Sequence, residues 1–214
     1  MKKDDLCAAL RLYAVTDRSW LGNGTLSDAV EAALRGGATM VQLREKSLTQ
    51  ADFLQEAKTL AALCARFQIP FLINDNLEIA LACNADGVHV GQDDMDPQKA
   101  RALLGPGKIL GVSAHTVQQA LAAEKTGADY LGVGAVFSTS TKQDAASVPL
   151  ETVREICQAV SIPVVAIGGI SADNILSLQN SGVVGAAVVS ALFAAEDIFS
   201  AAQNLSRLTK EAFL

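Results

Sequence analysis

Histidine and cysteine are scarce in this chain, at two and four among 214 residues. Cys7, Cys64, Cys83 and Cys157 stand far apart and form no Cys-x-x-Cys pair. That argues against a zinc site and, at this length, against a disulfide framework, so a reducing cytoplasm is the expected setting. Basic charge is also short. The formal net charge is -6, with 17 Lys and Arg against 23 Asp and Glu. A nucleic-acid or anionic-membrane partner is therefore not expected, because phosphate backbones need clustered cations. Met1 to Asp5 holds two lysines and two aspartates with no apolar run behind them, so no signal peptide is expected. The most apolar segment, Val183 to Ala195, is too short to span a bilayer and is interrupted by Ser190. No Gly-x-Gly-x-x-Gly follows the first strand, and neither His89 nor His115 has an acid or nucleophile at a diagnostic spacing, so there is no triad.

Half of the chain is hydrophobic while aromatics are only 5%, so Ala, Val, Leu and Ile must fill the core. That composition suits parallel strands covered by helices. Ile69 to Asp75, Ile-Pro-Phe-Leu-Ile-Asn-Asp, reads as a strand buried on both faces. Seven further segments read the same way: 11–17, 38–46, 86–90, 108–113, 129–134, 162–167 and 185–189. Helical spacing falls at 26–35, 51–67, 116–125, 150–160, 172–179 and 197–209, with short helices from Leu77 and Pro97. Strands two, four, six and eight each follow a small-residue helix stop: Gly37-Ala38, Asn84-Ala85-Asp86, Gly127-Ala128-Asp129 and Ser181-Gly182. Strands three and seven both open with Ile-Pro. This weak repeat predicts one (β/α)₈ barrel over residues 1–214, preferred to an open doubly wound sheet. No linker marks a domain boundary.

In such barrels ligands gather at the carboxyl ends of the strands. Asp75 there is a candidate metal ligand and Asn74 a hydrogen-bonding group, unless the pair merely caps the next helix. On strand two, Gln42, Arg44 and Lys46 alternate onto one face, and burying Arg and Lys without an anion would be expensive. Their spacing suits two phosphate groups, a bidentate fork from Arg44 and a point charge from Lys46. The alternative is a strand end emerging into solvent. Asp94, after strand four, is the second metal candidate. Two carboxylates with no thiolate or imidazole suit Mg²⁺ shared with substrate phosphates. Asp93 and Asp96 compete, Asp96 as an N-cap before Pro97. Ser113 could bind an anion or a ring substituent. His115 could be a general base or a helix cap, and His89 reads as a packed histidine. Phe137 to Lys142, with Thr139, Ser140, Thr141 and Lys142, is a phosphate cradle or an ordinary polar loop. Gly168-Gly169 after strand seven and Val189-Ser190 after strand eight fit the backbone-amide phosphate site common in these barrels. Two anion sites of different kind suggest two phosphorylated substrates, one of which loses diphosphate.

Tyr13-Ala-Val-Thr-Asp17, Val41-Gln-Leu-Arg-Glu-Lys46, Ile73-Asn-Asp75, Ala85 to Gln92 with Asp94, Gly111-Val-Ser-Ala-His115, Gly127 to Gly134, Thr139-Ser-Thr-Lys142 and Ala166-Ile-Gly-Gly-Ile170 together resemble the thiamine phosphate synthase family over nearly the whole chain. The resemblance implies joining of hydroxymethylpyrimidine diphosphate to hydroxyethylthiazole phosphate, with pyrophosphate leaving first. Carried over by position, Gln42, Arg44, Lys46, Asn74, Ser113 and Lys142 would bind the pyrimidine diphosphate. Asp75 and Asp94 would hold Mg²⁺. Thr139, Thr141, Gly169, Val189 and Ser190 would bind the thiazole phosphate. Gln143 to Val148 is taken as a mobile flap. A thiazole tautomerase on the same barrel, using His115, is the rival enzyme. A non-catalytic sensor of phosphorylated ligands is the rival from another class. The sequence allows self-association without specifying it.

Overall fold

The computed structural model describes residues 1–22, 24–92, 94–139 and 147–214. Eight parallel strands close on themselves in chain order: β1 Leu12–Val15, β2 Met40–Leu43, β3 Phe71–Asn74, β4 Gly87–Val90, β5 Ile109–Ala114, β6 Tyr130–Val133, β7 Val164–Ile167 and β8 Gly185–Val188. The ring is completed by β8 beside β1, Leu12 opposite Ala186. Helices follow in the order α1 Lys3–Ala9, α2 Leu26–Arg35, α3 Gln50–Phe67, α4 Leu77–Ala82, α5 Pro97–Leu104, α6 Val117–Lys125, α7 Leu150–Ala159, α8 Ser190–Phe193 and α9 Ile198–Phe213. This is the (β/α)₈ barrel that the alternation of segments predicts. Among the described residues no helix is long and apolar enough to cross a membrane.

Period-two alternation explains the two layers of core. Leu12, Val41, Leu43, Phe71, Ile73, Val88, Leu110 and Leu131 point outward into the helix layer. Tyr13, Met40, Leu72, Ile109, Tyr130 and Val165 point inward. The short helix α1, which the charged start of the chain disguises, adds Leu6, Ala9 and the following Leu10 to that inner cluster.

The repeated helix stops have a physical reading. Gly37, Asn84 and Gly127 take positive φ, and the next residue donates back five positions: Ala38 to Ala33, Ala85 to Ala80, Ala128 to Ala123. The residue after that turns its side chain onto the strand before it. Thr39 Oγ1 accepts from Leu12 N at 2.8 Å, Asp86 Oδ2 from Phe71 N at 2.9 Å, and Asp129 Oδ2 from Leu110 N at 2.7 Å. The helix predicted over 172–179 is a 3-10 turn, Ile175–Leu178, because Asn174 braces the preceding loop by accepting from Ser171 N and donating to Gly169 O.

Candidate active site

At the carboxyl ends of the strands a cavity of about 280 Å³ opens. It brings together the predicted Gln42, Arg44, Lys46, Asn74, Asp75, Asp94, Ser113, Thr139, Gly169, Val189 and Ser190, along with both histidines. Ser140, Thr141 and Lys142 lie outside the described residues, as do Asp93 and most of the proposed flap.

Strand β2 is shorter than predicted. Gln42 lies within it, only 5% exposed, while Arg44 and Lys46 continue past its end. Arg44 is held there because its N–H donates to the buried Thr16 Oγ1 at 3.0 Å. Its guanidinium stands 3.7 Å from Asp17. Between the two cations Glu45 turns away, and its carboxylate accepts from Arg18 Nε at 2.8 and 3.0 Å. Glu56 takes the same guanidinium. The Glu45 side chain is 2% exposed, and burial raises its pKa against the pull of Arg18. This ion pair ties the exit of β2 to the loop after β1 and to α3.

Asn74 and Asp75 are not helix caps. Asn76 caps α4, its Oδ1 accepting from Ile79 N at 3.0 Å. That leaves Asp75 free to adopt φ +62°, with its N–H donated to His89 O at 2.8 Å. Asn74 Nδ2 donates to Asp75 Oδ1 at 2.7 Å, and Lys46 Nζ meets Asp75 Oδ2 at 2.9 Å. The Asp94 carboxylate lines the same cavity. Burial raises the Asp75 pKa and Asp94 adds to the rise, while Lys46 opposes it. Asp94 in turn accepts from Gly91 N at 2.8 Å. Asp96 is indeed a cap, accepting from Lys99 N at 2.9 Å. Two carboxylates crowding each other beside a cavity form a donor set that a hard divalent cation would fit, completed by substrate oxygens. Among the described residues no cluster of three or more His, Cys, Asp or Glu is placed to hold a metal.

His115 is not the cap of α6 either. Thr116 fills that place, and His115 donates its N–H to Gln119 Oε1 at 2.8 Å while lining the cavity. His89 is packed, as expected, yet it also lines the cavity, which the packed reading did not include. Its Nδ1 lies 2.9 Å from Tyr130 Oη and its Nε2 3.0 Å from Ser113 Oγ, and burial lowers its pKa to about 4. Tyr130 Oη lies 2.9 Å from Tyr13 Oη, which accepts from Gln42 Nε2 at 2.6 Å. Burial raises the pKa of both phenols. Sequence reasoning passed over Tyr13 and Tyr130. The signal was a phenol at an inward strand position, where only apolar residues would be comfortable without a partner.

Past β7 the backbone of the loop after β6 runs alongside. Val136 N donates to Ile167 O at 3.0 Å and Phe137 N to Gly168 O at 3.1 Å. A Cβ at Gly169, where φ is +63°, would stand 2.3 Å from Ser138 O. Only glycine lets these two loops meet at the cavity rim.

The model of the family described as thiamine monophosphate synthase matches residues 12–192. The chain belongs to that family. Among relatives in the thiamine monophosphate synthase family, the thiamine-phosphate synthase of Ruminiclostridium cellulolyticum is 52% identical over 194 residues, covering 91% of this chain and 92% of that one. The thiamine-phosphate synthase of Clostridium acetobutylicum is 48% identical over 201 residues, 94% and 95% of the two chains. The solved thiamine phosphate pyrophosphorylase of Pyrococcus furiosus is 40% identical and superposes with a TM-score of 0.90 over 97% of this chain and 98% of that one.

Proposed function

We propose that this protein is a thiamine phosphate synthase, a transferase joining hydroxymethylpyrimidine diphosphate to hydroxyethylthiazole phosphate with release of pyrophosphate. The observation that carries this reading is a single cavity combining Arg44, Lys46 and the Asp75–Asp94 pair on one side with Gly169, Val189 and Ser190 on the other. The first group suits a diphosphate, the second a phosphate bound through backbone amides.

In this mechanism the bond to pyrophosphate breaks first, leaving a cation spread over the pyrimidine, and the thiazole nitrogen then attacks that carbon. Charge develops on the departing oxygens, where the forked guanidinium of Arg44 and the ammonium of Lys46 would stabilise it. Asp75 and Asp94 would hold Mg²⁺, which when bound neutralises further phosphate charge. Gln42, Asn74 and Ser113 would orient the pyrimidine diphosphate. As the family likeness implies, Thr139 and Thr141 would bind the thiazole phosphate and Lys142 the pyrimidine diphosphate. No side-chain nucleophile is required. Val15 and Val165 give the cavity an apolar side, which would favour attack by the thiazole over hydrolysis by leaving water few partners there.

The test is pyrophosphate release from purified protein with both substrates and Mg²⁺, for wild type and Asp75→Ala. Release that needs both substrates and the metal, and collapses in the variant, supports the synthase. A folded wild type that releases none sinks it. Because His115 lines the same cavity, thiazole tautomer exchange by wild type and His115→Ala would then decide for the tautomerase.

A further inference from the structure

Residues 44–49 carry β2 to α3 without regular structure, and Arg44 and Lys46 of the cavity both lie on this stretch. A segment without a ladder of its own takes its shape from tethers to its neighbours. The exit of β1 supplies them residue by residue. Thr16 N donates to Gln42 O at 2.9 Å, and Thr16 Oγ1 accepts from Arg44 N at 3.0 Å. Asp17 divides its carboxylate. Its Oδ1 accepts from Ser19 N at 3.0 Å and caps the 3-10 turn Arg18–Trp20, while its Oδ2 stands 3.7 Å from Arg44 Nη1. Arg18, the first residue of that turn, donates through Nε to both oxygens of Glu45 at 2.8 and 3.0 Å, and through Nη2 to Glu56 of α3.

Period two shows what sets Glu45 apart. Gln42, Arg44 and Lys46 face the cavity, so residue 45 turns to the helix layer with Val41 and Leu43, both 0% exposed. A carboxylate in that layer is costly unless paired. Burial raises the Glu45 pKa and Glu56 adds to the rise, while Arg18 opposes both. An apolar residue would fill the position at lower cost, because buried ion pairs seldom out-stabilise hydrophobic replacements. What the ion pair adds is direction. One guanidinium joins a carboxylate of the loop to a carboxylate of α3, and without it the two repel each other. Arg18, Glu45 and Glu56 themselves lie outside the cavity lining.

We propose that Arg18 is a positioning residue for the anion end of the cavity, bridging Glu45 and Glu56 so that Arg44 and Lys46, on either side of Glu45, are held toward a bound diphosphate. The proposal rests on the synthase reading above, in which those two cations meet the diphosphate. Arg18 touches no ligand. It acts through the backbone of 44–46, and the phosphate site formed by Gly169, Val189 and Ser190 on the opposite bank is independent of it.

The experiment is calorimetric binding of inorganic pyrophosphate with Mg²⁺, and separately of hydroxyethylthiazole phosphate, to wild type, Arg18→Met, Arg18→Lys and the double variant Arg18→Met/Glu45→Leu. Thermal unfolding is followed for each protein, and wild-type turnover is measured alongside. Arg18→Met should weaken pyrophosphate about 10- to 100-fold, the worth of one charge-assisted hydrogen bond. Thiazole phosphate should stay within about twofold, as expected for sites that share no contact. Arg18→Lys keeps the charge without the bridge and should weaken pyrophosphate by at least about threefold. The double variant separates positioning from packing. With the buried charges gone it should melt close to wild type and still bind pyrophosphate at least about fivefold more weakly. If Arg18→Met does not fold, Arg18→Lys and the double variant decide. Wild-type affinity for pyrophosphate in any folded variant, an equal loss for both ligands, or a wild type that binds no pyrophosphate overturns the proposal. When such a wild type still turns over both substrates, the synthase reading survives. A wild type without turnover, whose variants lose pyrophosphate selectively, overturns the synthase reading and leaves the positioning role in place.

Discussion

Asp86 and Asp129 precede strands β4 and β6 at their N-terminal ends, while Asp75 and Asp94 follow β3 and β4 at the carboxyl ends, and the two pairs meet different partners. The fold itself answers the first pair. Asp86 accepts from Phe71 N, and Asp129 from Leu110 N and from Arg101 Nη2 at 2.5 Å. The second pair is answered in part, by Lys46 and Asn74 on Asp75 and by Gly91 N on Asp94, while its carboxyls also press on each other. A carboxylate whose neighbours satisfy it stabilises the chain. One set against another carboxylate lowers stability at neutral pH until something positive arrives. The difference separates architecture from function among residues of one type.

The sharpest way to break the comparison is to remove one aspartate from each end. Asp75→Ala should lower kcat/KM by about 10²–10³-fold, the usual cost of deleting one element of charge stabilisation, with little change in unfolding temperature. Asp129→Ala should do the reverse. It removes charge-assisted bonds worth about 2 kcal/mol, which in a chain of this size lowers Tm by roughly 4–8 °C, while activity per folded molecule holds. Pyrophosphate release and thermal melts on the same preparations read both. An Asp129→Ala protein that is stable but inactive would collapse the distinction.

Gly169→Ala tests a smaller effect at the cavity rim. Its left-handed φ and the approach of Ser138 O should cost roughly 1–3 kcal/mol and raise the KM for the thiazole phosphate more than that for the pyrimidine diphosphate. The smallest effect is a pH dependence. The Asp75 carboxyl, raised mainly by burial, favours folding below its unfolded value and loses that contribution as pH rises through the folded one. Asp75→Asn should therefore melt slightly above wild type at pH 7 without added metal, and the advantage should fade as pH falls toward about 4. An advantage that grows on acidification would show the carboxyl to be lowered instead.

Much of this was legible in the sequence because period two and period 3.6 dominate short buried strands and amphipathic helices. The eight strands and the helix Leu26–Arg35 follow from that rule. Gln42, Arg44 and Lys46 reach one cavity because alternation carries beyond the strand end. The caps were harder. Asn76 and Thr116 sit directly after functional candidates, Asp75 and His115, and only three-dimensional contact tells which neighbour caps and which faces the cavity, whereas Pro97 already marks Asp96 as a cap. The line through Tyr13, Tyr130 and His89 was invisible for another reason. Its members come from strands one, six and four, so no local spacing records it. Asp86 and Asp129 were visible as a repeat, but their acceptor role depends on pairing with a strand at least fifteen residues earlier.

The seam between β8 and β1 has a consequence for how the site is assembled. All other strand pairings join consecutive strands, whereas Leu12 must find Ala186 near the far end of the chain. Loop-closure entropy grows only logarithmically, so this join costs about 1.5 kcal/mol more than closing a thirty-residue loop. The cavity straddles it, with Tyr13 and Val15 on one bank and Ala187, Val188 and Ser190 on the other. An incomplete ring would own most of the ligand-contacting residues and still lack a pocket, so binding competence arrives with the last strand rather than accumulating along the way. A molecule lodged between the two banks then acts as a rivet, and occupancy and ring closure reinforce each other.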